Sequence, residues 1–252
     1  MDWKKIAIIT IDALLAVYLL LAITAFNNPE SDDTVCTKVK IDIKDGMVDG
    51  FLNVDEIKAI LVKKKIYPLA KPMRSVDVRE IEENLCHSPF VNKAQCYKTQ
   101  SGHVCIELTQ RMPVVRIKAN NGDDYYIDSQ GGIMPNVKYC SDVIIATGAI
   151  SRKYAQQVLR KVGNVILEDK FWQSQVVQLN VLADGTLEMV PRVGEHIVYL
   201  GSPEDIEGKL GRLEKFYKYG ISQAGWNKYS YINMAFDNQI ICKKKQHNNS
   251  TL

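Results

Sequence analysis

Read from its N-terminus, the chain opens with an unbroken apolar run. Residues 6–26, IAIITIDALLAVYLLLAITAF, are 21 positions with one charge, Asp12. At 1.5 Å rise per residue a helix of that length spans about 31 Å, close to the roughly 30 Å of a bilayer's hydrocarbon core. The run predicts a transmembrane helix. Lys4 and Lys5 precede it, and Glu30, Asp32 and Asp33 follow. The positive-inside rule then makes residues 1–5 a cytoplasmic tail and puts the remainder outside. The competing reading is a cleaved signal peptide. Against it, the run exceeds the usual 7–15 residue apolar region, and its best small-residue site begins with Ile23. Asp12 lies about 9 Å into the helix from Ile6. Either it makes a polar contact with another membrane segment, or it is hydrated near the cytoplasmic interface.

A polar linker over 27–34 comes next, and then the period changes. Val35, Thr37, Val39, Ile41 and Ile43 alternate with Cys36, Lys38, Lys40 and Asp42, the two-residue repeat of a half-buried strand. Two short helices follow. Asn53 with Glu56 forms a capping-box pattern ahead of Val54, Ile57 and Leu61, and Asp77 with Glu80 repeats it ahead of Val78, Ile81 and Leu85. Pro68, Pro72 and Pro89 stop these segments. Residues 91–98 and 103–110 then read as a hairpin around Gln100-Ser101-Gly102. The order strand, helix, helix, strand, strand lets one helical layer bury one face of a three-stranded sheet. Val39, Ile41, Ile57, Leu61, Ile81, Leu85, Ile106 and Leu108 are its expected core.

Beyond residue 113 short strands predominate: 114–118, 125–128, 143–147, 176–182, 187–191 and 196–200, with a tight turn at Ala183-Asp184-Gly185. Two helical stripes interrupt them. One, over 152–168, carries Val158, Leu159, Val162 and Val165; the other, over 203–219, carries Ile206, Leu210, Leu213 and Phe216. Residues 230–244 read as a strand pair or one bent strand. Residues 246–252 read as a disordered tail, and Lys243, Lys244 and Lys245 lead into it.

Composition narrows the function. Hydrophobic residues at 46% and charged residues at 24% are ordinary globular usage. A net charge of +3 offers no basic field for nucleic acid. No zinc-protease, hydrolase-elbow or P-loop spacing occurs; Gly208-Lys209 is followed by Leu210 and lacks the upstream glycine. Asp123 and Asp124 form an acidic pair beside Gly122, which reads as a solvated turn. No cofactor, metal ligand or small-molecule substrate is expected, and no catalytic site. Six cysteines are too few for a disulfide mini-scaffold, and none form a Cys-x-x-Cys pair.

Gln110-Arg111-Met112-Pro113, Tyr125-Tyr126-Ile127-Asp128, Gly131-Gly132-Ile133-Met134-Pro135 and Gly225-Trp226, with the ending Tyr231 to Ile241, complete a pattern. Behind an anchor and the strand–helix–helix–strand–strand unit, the chain resembles the bacterial cell-division family FtsQ/DivIB, in a Bacteroides-like form. The resemblance implies an α+β protein: an N-terminal transmembrane helix, a POTRA-like β-α-α-β-β domain over 35–112, then a β-rich domain with two helices over 113–245, continuous with the first sheet. It implies a single-pass inner-membrane scaffold, its bulk periplasmic and gathered at the septum. The scaffold would bind the FtsB–FtsL pair and help coordinate septal peptidoglycan synthesis. The alternative is a POTRA-containing envelope assembly or secretion factor. In this family the terminal sheet edge receives the FtsB segment; the matching positions are Phe236, Asn238, Gln239, Ile240, Ile241 and Cys242. Lys209, Arg212 and Lys215, on the second helix, would attract partner carboxylates. The POTRA arrangement would also set Cys36 beside Cys105, both facing outward, and Cys86 within reach of inward-facing Cys96. Disulfides at these pairs compete with free, buried thiols.

Overall fold

A computed structural model describes residues 3–26, 34–44, 52–136 and 143–245. The chain divides into two compact units. Residues 27–33 of the expected 27–34 linker, Cys140 and the tail over 246–252 lie outside the described residues.

In the first unit, helix α1 (Trp3–Phe26) holds the apolar run, with Asp12 exposed on it. Side chains of the span's ends, 6–8 and 24–26, lie outside the described residues. Among the described residues no helix is long and apolar enough to cross a membrane.

The rest of this unit follows the expected order: β1 (Lys38–Ile43), α2 (Val54–Lys63), a 3-10 turn (Met73–Ser75), α3 (Val78–Cys86), β2 (Val91–Lys98) and β3 (His103–Gln110). The sheet order is β1-β3-β2, with β1 parallel to β3 and Val39 opposite Val104. Asn53 Oδ1 accepts from Asp55 N at 3.0 Å and Asp77 Oδ1 accepts from Arg79 N at 2.9 Å and Glu80 N at 3.1 Å. Both capping residues therefore start their helices. Ile57, Leu61, Ile81, Leu85, Ile106 and Leu108 are buried as expected. Val39 and Ile41 are only half-buried, because β1 is an edge strand of this small sheet. Val54 is exposed: it is the first residue of α2, one turn short of the packed face.

The cysteines depart from the expected pairing. Cys36, Cys86, Cys96 and Cys105 are all free thiols. Cys105 alternates with buried Val104 and Ile106 and so faces outward. Cys36 lies ahead of β1, where its backbone pairs with Ala70 and Lys71; the strand parity does not reach it, and its side chain is buried. Cys86 is exposed at the end of α3 while Cys96 is buried.

The second unit is built on one nine-stranded mixed sheet, ordered β12-β11-β10-β9-β8-β7-β4-β5-β6. Its strands are β4 (Pro113–Ala119), β5 (Asp124–Asp128), β6 (Ile133–Pro135), β7 (Ile144–Gly148), β8 (Val176–Val181), β9 (Leu187–Pro191), β10 (Ile197–Gly201), β11 (Tyr229–Asn233) and β12 (Ile241–Lys244). This sheet is separate from the three-stranded one, so the expected continuity is absent: β4 pairs with β5 and β7. The turn between β8 and β9 closes through Gly185 N to Leu182 O at 3.0 Å, with Gly185 at φ +83°, where a side chain would be strained.

Helices cover one face of this sheet. α4 (Arg152–Tyr154), a π turn (Ala155–Leu159) and α5 (Arg160–Glu168) form one segment, followed by α6 (Lys170–Gln175). α7 (Ile206–Phe216), a second π turn (Tyr217–Ile221) and α8 (Ser222–Ala224) form the other. Leu159, Val162, Ile166, Trp172, Leu210 and Leu213 pack with Ile117, Ala146, Leu179, Met189, Val198 and Ile232 in one core. At the β5–β6 end, Phe90 and Val143 cover Tyr126 and Met134.

Candidate functional site: an open sheet edge and the cleft beside it

The sheet ends at β12, a four-residue strand paired on one side only. Its register sets Asn233 opposite Ile241, Ile232 opposite Cys242 and Tyr231 opposite Lys243, with a bulge before Tyr229–Lys244. Lys245 N donates to Lys228 O at 2.9 Å, so this amide faces β11. Backbone direction alternates along an antiparallel strand. Lys243 and Ile241 therefore also face β11, while the amides of Cys242 and Lys244 face the open edge. An edge of this kind is a template for another strand. The lysines expected to lead a disordered tail are structured: Lys243 and Lys244 lie within β12, and Lys245 pairs with Glu195.

The six positions expected on this edge divide. Ile241 and Cys242 are in β12. Phe236, Asn238, Gln239 and Ile240 precede it in the connection from β11. Ile240 packs against the main core, and Phe236 is exposed. The last three of these four help line a cleft of about 540 Å³, walled opposite by Arg212, Lys215, Phe216, Tyr219 and Gly220. The strand is shorter than its sequence suggests because β11 and β12 need the segment between them to reverse the chain.

The basic residues of α7 divide as well. Lys215 is exposed at the cleft. Arg212 lies within 3.8 Å of Asp205 and 3.6 Å of Asp237, so its charge is answered at the cleft wall. Lys209 is 5% exposed and donates from Nζ to Ser202 O at 2.6 Å. Burial pushes its ammonium pKa down. Lys209 is thus a structural residue and not a lure for partner carboxylates: the stripe Ile206, Leu210, Leu213 carries it inward with the core. Phe216, Tyr219 and Gly220 were missed as site residues. The π turn over Tyr217–Ile221 shifts this stretch relative to an α-helical repeat, and periodicity alone does not reveal such a turn.

Other polar features are accounted for by the fold. A larger cleft, about 670 Å³, is rimmed by Glu168, Asp169, Asp205 and Glu207 around Trp172. Asp169 caps α6 and Asp205 caps α7. Asp124 is held by Arg116 in a bidentate pair at 3.1 and 2.9 Å, and Asp123 lies 3.5 Å from Arg152. Arg111 donates from Nε to Val91 O at 3.1 Å and lies 3.4 Å from Asp128, whose Oδ1 accepts from Gln130 N and Gly132 N. A Cβ on Gly132 would meet Arg111 at 2.5 Å and Asp128 at 2.6 Å. The Arg111…Asp128…Gly132 pattern is therefore a latch that shapes the β5–β6 turn. Among the described residues no group of three or more His, Cys, Asp or Glu side chains could hold a metal ion.

Comparison with known families gives two matches. A family described as "FtsQ/DivIB, C-terminal related" matches residues 112–243, and one described as "POTRA-like domain" matches residues 34–109. No curated protein matches the chain.

Proposed function

Because the chain belongs to the FtsQ/DivIB family, whose members are cell-division proteins, we propose that it is a membrane-anchored scaffold of the division machinery. It captures the FtsB–FtsL pair by strand addition at β12 and so helps to coordinate septal peptidoglycan synthesis. The observation that carries this reading is the open edge of β12, with the amides of Cys242 and Lys244 directed away from β11. In strand addition the main-chain bonds supply affinity and side-chain pockets supply specificity. The cleft lined by Arg212, Lys215, Phe216 and Tyr219 is such a pocket for side chains flanking the added strand. Exposed Lys215 would add only about 0.2–1 kcal/mol through a carboxylate pair.

The same reading places the N-terminus in the cytoplasm and the two folded units in the periplasm, concentrated at the septum. Its support is the apolar run over 6–26 after Lys4 and Lys5, together with large exposed side chains on α1 such as Ile9, Leu14, Tyr18 and Leu20. An apolar surface of that extent needs a cover.

Proline substitution tests the edge. Proline is tolerated on an edge strand where its missing N–H faces outward. Full-length Lys244→Pro is expected to keep its melting temperature and to lose co-purification with FtsB–FtsL, whereas Lys244→Ala keeps both. A folded Lys244→Pro protein that still captures the pair normally would refute strand addition at β12.

A further inference from the structure

The face of the nine-stranded sheet opposite the helices carries two registered rows of side chains. One row runs Thr147, Asn180, Glu188, Tyr199, Asn233, Ile241, each opposite the next across adjacent strands. In the other, Ile145 faces Gln178 and Gln178 faces Val190, and on the far side Ile197 faces Tyr231 and Tyr231 faces Lys243. An ordinary solvated sheet face mixes charges of both signs with no fixed order. This one is a directed chain of side-chain hydrogen bonds, a minority type in proteins. Gln178 Nε2 donates to Thr147 Oγ1 at 2.8 Å, and Thr147 Oγ1 donates to Asn180 Oδ1 at 3.3 Å. Asn180 Nδ2 donates to Glu188 Oε2 at 3.0 Å, and Tyr231 Oη donates to Glu188 Oε1 at 3.5 Å. The Thr147 hydroxyl also lies 3.5 Å from Leu179 O, and the donors of Asn180 and Tyr231 converge on Glu188. The rings of Tyr199 and Tyr231 stack beside it, 6.2 Å apart and 21° from parallel.

Glu188 has no ion-pair partner among the described residues: no Lys, Arg or His lies within salt-bridge distance of it. Glu188 is the one carboxylate in these rows. The nearest basic positions in register are Lys118, opposite Thr147, and Lys243. The backbone of each is three strands from β9, about 14 Å at the spacing between strands. A carboxylate offers about four acceptor positions, and the fold uses two here. Burial and the neighbouring Glu188 raise the Tyr231 pKa, which keeps its hydroxyl protonated and donating.

We propose that this face seats one cationic side chain, an arginine or lysine, of a partner polypeptide. Glu188 is its counter-ion, and Tyr199 and Tyr231 are its aromatic contact. Complementarity selects this occupant. An anion would meet Glu188 head-on, and a neutral chain would leave the carboxylate unpaired under the contact, which costs more than it returns. A guanidinium or ammonium supplies the missing donors and sits within reach of the ring faces, where cation–π attraction adds to the ion pair. This seat does not depend on strand addition at β12, because it engages side chains of β8 to β11.

The test uses the full chain in detergent, labelled with 3-fluorotyrosine, with the Tyr199 and Tyr231 resonances identified from Tyr199→Phe and Tyr231→Phe. The probes are N-acetyl-arginine amide and its uncharged isostere N-acetyl-citrulline amide. The arginine probe is expected to shift both resonances saturably, and the citrulline probe to bind about tenfold more weakly, since the difference is one charged hydrogen bond. Glu188→Gln should abolish that preference without moving the melting temperature. If Glu188→Gln is unstable, a wild-type titration at raised salt replaces it, and the arginine shift should weaken while the citrulline response stays fixed. Equal binding of the two probes, an arginine preference that survives Glu188→Gln or raised salt, or no saturable shift would each overturn the proposal.

Discussion

His196 shows how much one residue's surroundings decide. It is 2% exposed, its Nε2 lies 2.7 Å from the Tyr217 hydroxyl, and its Nδ1 has no protein partner. Burial lowers its pKa below the usual 6.5. The unfolded chain therefore binds a proton near pH 6.5 that the folded chain refuses, so stability falls as pH drops through that value toward the folded pKa. Denaturant midpoints measured between pH 7.5 and 5.5 should decline, and His196→Gln, which keeps a partner for Tyr217, should flatten the decline. The thiols offer a second check. Burial, with Glu82 next, pushes the Cys96 pKa up to about 12, whereas Cys86 is exposed. Only the thiolate reacts. Iodoacetamide at pH 8 should mark Cys86 within minutes and leave Cys96 unmodified in the native protein, as read by peptide mass spectrometry; rapid labelling of Cys96 would contradict its burial. Leu85 is fully buried, and truncating such a leucine typically costs 2–5 kcal/mol. Leu85→Ala should lower the melting temperature clearly. Val54→Ala, at an exposed position, should stay within about 0.5 kcal/mol of the parent.

At the scale of elements, local chemistry was legible wherever a cap or a tight turn announced it. Asp77 accepts from two otherwise unsatisfied amides of α3, so Asp77→Ala should cost about 0.5–2 kcal/mol, measurable by chemical denaturation. The two POTRA-like helices, the β2–β3 hairpin and the Asp184-Gly185 turn were readable for this reason. Strand β6 was not: three residues long, it exists because the Arg111–Asp128 latch turns the chain back onto β5. Both π turns were also hidden, since one inserted residue leaves the apolar spacing nearly helical on either side. The open sheet edge was half legible. The resemblance puts a sheet edge at the C-terminal strand, and β12 does end the sheet. Which residues form the strand and which the cleft depends on the β11–β12 register, and that is a long-range property. Lys209 failed for the same reason, since nothing local says that its ammonium finds the Ser202 carbonyl.

At the scale of the whole molecule the sequence marks a boundary near residue 112, but the second unit also takes Ser88–Asn92. Phe90 packs with Tyr126 and Met134, and its carbonyl accepts from Arg111 N at 2.8 Å. A linear reading draws a boundary as one point, whereas tertiary packing borrows a segment across it. Whether the proposed anchor inserts in a membrane, and which way round, can be tested, and insertion energetics with the flanking charges give the expected outcome. Residues 6–26 contain twelve Leu, Ile, Val or Phe side chains. At about −0.3 to −0.6 kcal/mol each they favour insertion by roughly 4–7 kcal/mol, against at most about 2.5–3.5 kcal/mol for a carboxylate at the helix centre. Asp12 lies off-centre in that run and costs less, so insertion should win. Lys4 and Lys5 should then hold the N-terminus inside. With one tag before Met1 and another after Leu252, protease added to spheroplasts should remove the C-terminal tag and spare the N-terminal one. Untreated protein should carry both tags on one chain. Protection of the C-terminal tag would reverse the orientation, and a mature chain lacking the N-terminal tag would mean that the apolar run is a cleaved leader and not an anchor.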